Sequence, residues 1–118
     1  MPKGKLTYRR GEIRWVKLDP TIGAEAQKTR ACLIVQRDTI NQHGLLTIVI
    51  PFLPGRKKAP YVVNVIPTET NGLDQHRYLD LGQVRAVAYE RVLGIVGQLE
   101  NHYWQEVQEA FEIVMGFN

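Results

Sequence analysis

The strongest constraint on the fold lies in residues 11–35, GEIRWVKLDPTIGAEAQKTRACLIV, where two apolar segments flank a long polar connection. The first segment is rich in strand formers, Ile13, Trp15, Val16 and Leu18. Asp19-Pro20 stops it, because proline has no N–H to give to a ladder and fixes its own φ. The second, residues 31–35, is a short apolar run that reads as a buried strand, with Thr29 and Arg30 at its entrance. Residues 21–29 are too many for a tight hairpin turn, and they carry Gly23, Glu25, Gln27 and Lys28. A connection of this length between short strands either serves a function or lacks order.

The rest of the chain repeats the pattern of short runs and breakers. Residues 1–10, MPKGKLTYRR, read as a basic, poorly ordered arm ahead of a single domain over 11–118. Residues 36–44 read as a polar loop, and 45–52, LLTIVIPF, as a central strand ended by Pro51. Further strands are expected over 61–66, 78–81, 84–88 and 92–96. From Asn101 the period changes: Trp104, Val107, Phe111, Val114 and Met115 make one apolar helical face, with Asn101 as N-cap and Gly116 as stop. Five to seven short strands and one terminal helix predict a mainly β fold, mostly antiparallel, closed or half closed into a small barrel to manage its edges.

Charge is unevenly shared. Residues 1–58 hold 12 Lys/Arg against 4 Asp/Glu, whereas 59–118 hold 3 against 8, within a net charge of +3. The basic half is either a polyanion surface or a solvated face. No apolar run approaches the ~20 residues of a membrane span, and the basic start leads into no signal-peptide core. A cytoplasmic location is the default expectation, and the single Cys32 fits a reducing compartment.

Metal chemistry is not expected. His43, His76 and His102 are scattered without ligand spacing, and Cys32 falls in a predicted buried strand where a thiol is inert packing. What remains suits phosphodiesters. Cleaving RNA without a metal requires an activated 2′-hydroxyl, stabilised charge on the phosphoryl oxygens and a protonated 5′-oxygen. Arginine meets the second need with its planar, permanently charged fork, and Arg30 is best placed, at the junction of polar loop and buried strand. Glu25 is either a surface charge bridged to Lys28 or Arg30, or a carboxylate that tunes the arginine. Arg56, Lys57 and Lys58 are solvated cations or phosphate contacts. Trp15, Tyr61 and Trp104 are core aromatics or base-stacking surfaces.

The string RGEIRWVKLDPTIGAEAQKTR, with Gly11, Glu12, Ile13, Trp15-Val16, Leu18-Asp19-Pro20, Gly23, Glu25 and Arg30, resembles the opening of the MazF/PemK family of toxin endoribonucleases. Weaker similarity runs over nearly the whole chain. The resemblance implies an SH3-like barrel with the helix against the sheet, a two-fold dimer, and an acidic antitoxin as partner. It implies metal-independent cleavage of single-stranded RNA, with no cofactor. Arg30 takes the position of the principal catalytic arginine, and the products are a 2′,3′-cyclic phosphate and a 5′-hydroxyl. Gln83 and Arg85, in GQVRAV, resemble the family's D-Q-[VI]-[RK] strand, whose glutamine lines the RNA groove. Lys28 joins them as an expected RNA contact.

Three positions depart from the pattern. Leu53 stands where the family has a catalytic threonine, Gly82 where it has an acid before the glutamine, and Ala31 where proline follows the arginine. Thr47 or Thr29 would have to supply the missing hydroxyl. The rival expectations are a relative that keeps the barrel and dimer but binds a protein, as CcdB toxins do, and a nucleic-acid-binding barrel without cleavage.

Overall fold

The computed structural model describes residues 8–18, 22–25 and 28–117. Residues 1–7 of the basic arm, the Asp19-Pro20 stop and residues 21, 26 and 27 lie outside them. The chain order is β1 (Glu12–Lys17), β2 (Thr29–Ile34), α1 (Asp38–Asn41), β3 (Leu46–Pro54), β4 (Val62–Val65), β5 (Arg77–Asp80), β6 (Arg85–Ala88), β7 (Val92–Gln98) and α2 (Trp104–Met115). A one-turn helix, α1, thus interrupts the loop expected over 36–44.

All strand pairs are antiparallel, in the order β4-β5-β3-β2-β1-β7, with β6 also on β3. The mostly antiparallel β fold with a terminal helix is the one expected, and of the two forms expected, closed or half closed, the sheet is not the closed one. β3 explains its shape: Leu46 to Val49 pair with β6, Val49 to Pro51 with β2, and Phe52 to Pro54 with β5. A strand that changes partners along its length bends the sheet without joining its ends. Pro51 does not terminate β3, because it falls where the pairing with β2 hands over to β5 and a missing N–H costs least there.

Alternation along β2 and β3 divides the core between two faces. Ile13, Leu33, Ile50, Phe52 and Leu79 meet Val107 and Ala110 of α2 on one face. Val16, Leu18, Cys32, Ile34, Val49 and Val87 form the smaller cluster on the other, together with Tyr8. Burying these side chains stabilises the fold by about 1.5–3 kcal/mol for each large aliphatic residue. Tyr8, within the expected arm, is therefore a core residue, and Arg10 stacks over Trp104 at 4.8 Å.

Asn101 does not cap α2. Residues Asn101–Tyr103 form a 3-10 turn, and the helix starts at Trp104 with no side-chain cap. Gly116 does end it, at φ 71°, donating its N–H to Glu112 O at 2.8 Å. Of the expected apolar stripe, Trp104, Val107 and Phe111 pack against the larger core cluster, whereas Val114 and Met115 are exposed. No helix among the described residues is long and apolar enough to cross a membrane.

Candidate active site

Residues paired across antiparallel strands project to the same face. Val16 pairs with Arg30, Cys32 with Pro51, and Val49 with Arg85. Arg30 and Arg85 therefore rise from one face, at the rim of the smaller cluster, on either side of Cys32. Their charges lower the Cys32 thiol pKa, but burial dominates and pushes it up to about 12, so the thiol stays protonated.

The two arginines are held differently. Arg85 Nη1 donates to Leu18 O at 3.3 Å, which ties β6 to the end of β1. Arg30 is half-buried, and its Nε, shielded from solvent, has no hydrogen-bond partner among the described residues. Buried donors are nearly always satisfied, so an orphaned guanidinium N–H at a rim marks a place suited to an acceptor that arrives from outside.

Arg85, but not Arg30, lines a cleft of about 310 Å³ together with Leu18, Glu25, Pro51, Gly82, Gln83 and Val84. Three residues singled out in the sequence, Glu25, Gln83 and Arg85, thus meet in one cavity. Glu25 reaches it from a tight turn in which its Oε1 accepts from Ile22 N at 2.6 Å and Gly23 adopts φ 64°. The base of the connection is closed by Leu18 N donating to Lys28 O at 2.9 Å. Lys28 itself sits at φ 65°, a left-handed conformation that lysine adopts only under constraint.

Gln83 follows β5 in a 3-10 turn, Leu81–Gln83. Asp80 controls that turn: its Oδ1 accepts from Gly82 N at 3.0 Å and its Oδ2 from Gln83 Nε2 at 3.2 Å. A carboxylate thus reaches Gln83 from three residues before it, at an N-cap position that aspartate favours.

The remaining sequence candidates separate. Thr47 is fully buried, its hydroxyl donating to Asn41 Oδ1 at 2.7 Å and bonded to Tyr8, so it belongs to an internal network. It does not replace the hydroxyl absent at Leu53. Thr29, next to Arg30 in β2, projects to the opposite face. Leu53 is partly buried against the smaller cluster and pairs with Tyr78. Arg56 hydrogen-bonds His76 Nδ1 at 3.3 Å, and Lys58 is exposed. Lys57 stands over Tyr61, at the Gly82 end of the cleft. Trp15 is 46% exposed on the face opposite Arg30, and Trp104 lies under Arg10. Among the described residues no three of His, Cys, Asp and Glu come close enough to hold a metal ion.

Residues 9–115 match the model of the PemK-like, MazF-like toxin family of type II toxin-antitoxin systems. The chain belongs to this family. Among MazF relatives, Endoribonuclease MazF9 of Mycobacterium tuberculosis is 31% identical over 111 residues, covering 89% of this chain and 93% of the relative. Endoribonuclease EndoA of Bacillus subtilis is 26% identical, with coverages of 92% and 94%. The fold agrees with the crystal structure of MazF from Deinococcus radiodurans, with a TM-score of 0.78 at 18% identity over 93% of this chain and 97% of that one. A mycobacterial endoribonuclease solved in complex with its cognate antitoxin gives the same TM-score at 15% identity, covering 95% and 98%.

Within this PemK-like, MazF-like framework, sequence reasoning missed Asp80, the Leu18 carbonyl that seats Arg85, and the Asn64 side chain that fixes Lys57. Only Asp80 left a signal, an acid three residues before Gln83 where a turn brings i and i+3 together.

Proposed function

We propose that this chain is the toxin of a type II toxin-antitoxin pair and acts as a metal-independent endoribonuclease on single-stranded RNA in the cytoplasm. One observation supports the reading beyond family membership: Arg85, Gln83 and Glu25 line one cleft, and on the same sheet face as Arg85 the buried Nε of Arg30 lacks an acceptor among the described residues.

In the proposed reaction the RNA backbone crosses the Arg30–Arg85 rim. The 2′-oxygen gives up its proton and attacks phosphorus, the P–O5′ bond breaks, and the 5′-oxygen takes a proton. The products are a 2′,3′-cyclic phosphate and a 5′-hydroxyl. Arg30 stabilises the charge that develops on the phosphoryl oxygens, where a fixed donor is worth most. Glu25 is the carboxylate in reach of the cleft for proton transfer or for tuning the arginines. Gln83 and Arg85 hold the strand, and Lys28, Arg56, Lys57 and Lys58 contact phosphates farther along it, with no cofactor. We also assign a two-fold homodimer and an acidic antitoxin whose flexible anionic chain competes with RNA for the same cations.

The test is incubation of the purified protein with long single-stranded RNA in excess EDTA. Discrete fragments with cyclic-phosphate ends that vanish in Arg30→Ala support the assignment. Intact RNA, or equal cleavage by Arg30→Ala, overturns it.

A further inference from the structure

Tyr61 adjoins the cleft at Gly82, one of the residues that line it. The ring of Tyr61 lies beside Gly82: a Cβ built at position 82 would meet Tyr61 Cδ1 at an ordinary contact distance of 4.0 Å. The Lys57 ammonium stands 5.3 Å from the centroid of that ring. Lys57 is exposed and Tyr61 only partly buried, so part of the tyrosine remains open to solvent beside the ammonium.

The lysine is delivered from a fixed backbone. Asn64 accepts from Lys57 N at 3.0 Å and donates to Lys57 O at 2.9 Å, and Gly55 N donates to His76 O at 2.8 Å. A hydrogen bond with Tyr61, and the neighbouring charges of Tyr61, Tyr78 and Asp80, hold the ammonium above the usual lysine range. The Asp80 carboxylate nearby is engaged by Gly82 N and Gln83 Nε2, so it links this corner to Gln83.

We propose that Tyr61 and Lys57 form a nucleotide subsite adjoining the Gln83 cleft: a nucleobase stacks on the partly exposed ring of Tyr61, and the ammonium moves from the ring to that nucleotide's phosphate. The proposal rests on the reading of the chain as an RNA-cleaving toxin and adds where one flanking base is selected. Aromatic stacking tolerates any base but favours large ones, while a lysine serves as a point charge for phosphate. Of the three aromatic candidates in the sequence, Tyr61 alone stands beside the cleft. Trp15 lies on the opposite face, and Trp104 packs on the core cluster beneath Arg10.

The experiment first maps the wild-type cut site. It then measures fluorescence anisotropy with a labelled oligonucleotide of that sequence, 2′-O-methylated at the attacking position. Tyr61→Leu is expected to weaken binding about tenfold or more and to flatten the base preference at one position flanking the cut, whereas Tyr61→Phe keeps both. Lys57→Ala, at a fully exposed side chain, is expected to weaken binding for all sequences and reduce the salt slope by about 1. Binding within twofold of wild type with an unchanged flanking preference in Tyr61→Leu overturns the subsite, as does equal loss in Tyr61→Phe. If the wild type cleaves while Tyr61→Leu behaves identically, only this inference fails; if the wild type neither binds nor cleaves RNA, the enzymatic reading fails first.

Discussion

Replacing Arg30 by methionine should make the protein more stable and inactive at once. The guanidinium Nε is buried without an acceptor among the described residues, on the face it shares with a second cation, Arg85. A buried donor left unmade costs about 1–3 kcal/mol, and the like charge adds to that. Methionine keeps the unbranched length of the side chain and removes both penalties. For a chain of this size each kcal/mol moves the melting temperature by about 3–6 °C, so Arg30→Met should melt about 3–18 °C higher. Cleavage should fall by about 10²–10³, the effect of losing one aligned donor to a developing oxyanion. Differential scanning calorimetry at neutral pH, paired with single-turnover cleavage, reads both quantities. A short non-cleavable oligonucleotide should raise the melting temperature of the wild type far more than that of the variant, since only the former gains an acceptor for its orphaned donor. A variant that melts several degrees below the wild type would refute the reasoning. It would mean that the guanidinium is satisfied within the protein and is not held in readiness for a phosphate.

Three further outcomes follow from the geometry. Thr47→Val should cost about 1–2 kcal/mol in chemical denaturation, because it removes the donor to Asn41 and the partner of Tyr8, yet leave the cleavage rate unchanged well below the melt. Leu53→Thr returns a hydroxyl to the face that carries Arg30, and should raise the rate about tenfold or more in a fluorogenic RNA assay. An unchanged rate would show that the cleft works without that group. Burial opposes ionisation of Glu100, but the Thr68 hydroxyl at 2.6 Å, a backbone hydrogen bond, the Asn71 amide at 3.2 Å and the charge of His102 together hold the carboxyl below its usual 4.5. A depressed folded pKa means that the stabilisation is present above 4.5 and lost as the pH falls through the folded value. The wild-type melting temperature should therefore drop more steeply below about pH 5 than that of Glu100→Gln.

The strands were legible because their apolar runs are bounded by proline and glycine, and the end of α2 because Gly116 supplies a left-handed cap. Closure was not. Pro51 looks like a terminus in sequence, and only the partner change along β3 shows why the strand passes through it and the sheet stays open. The helix start shifted from Asn101 to Trp104 because the intervening residues close a 3-10 turn, which has no periodicity of its own over three positions.

The site divides along similar lines. Arg30, Glu25, Gln83 and Arg85 could be picked out from chemistry and from the family pattern. Their convergence depends on β6 crossing to β3, a contact between residues far apart in the chain. Thr47 could not be judged from composition, since a threonine in a strand points to one face or the other and a shift of one residue decides which. Asp80 was overlooked because its partner is a side chain in a turn.

The bond from Leu18 N to Lys28 O turns the connection between β1 and β2 into a closed ring with both feet pinned. The entropy of closing such a ring grows only slowly with its length. Insertions or replacements between the feet would therefore lengthen its reach over a bound strand while Arg30, two residues past the second foot, keeps its position.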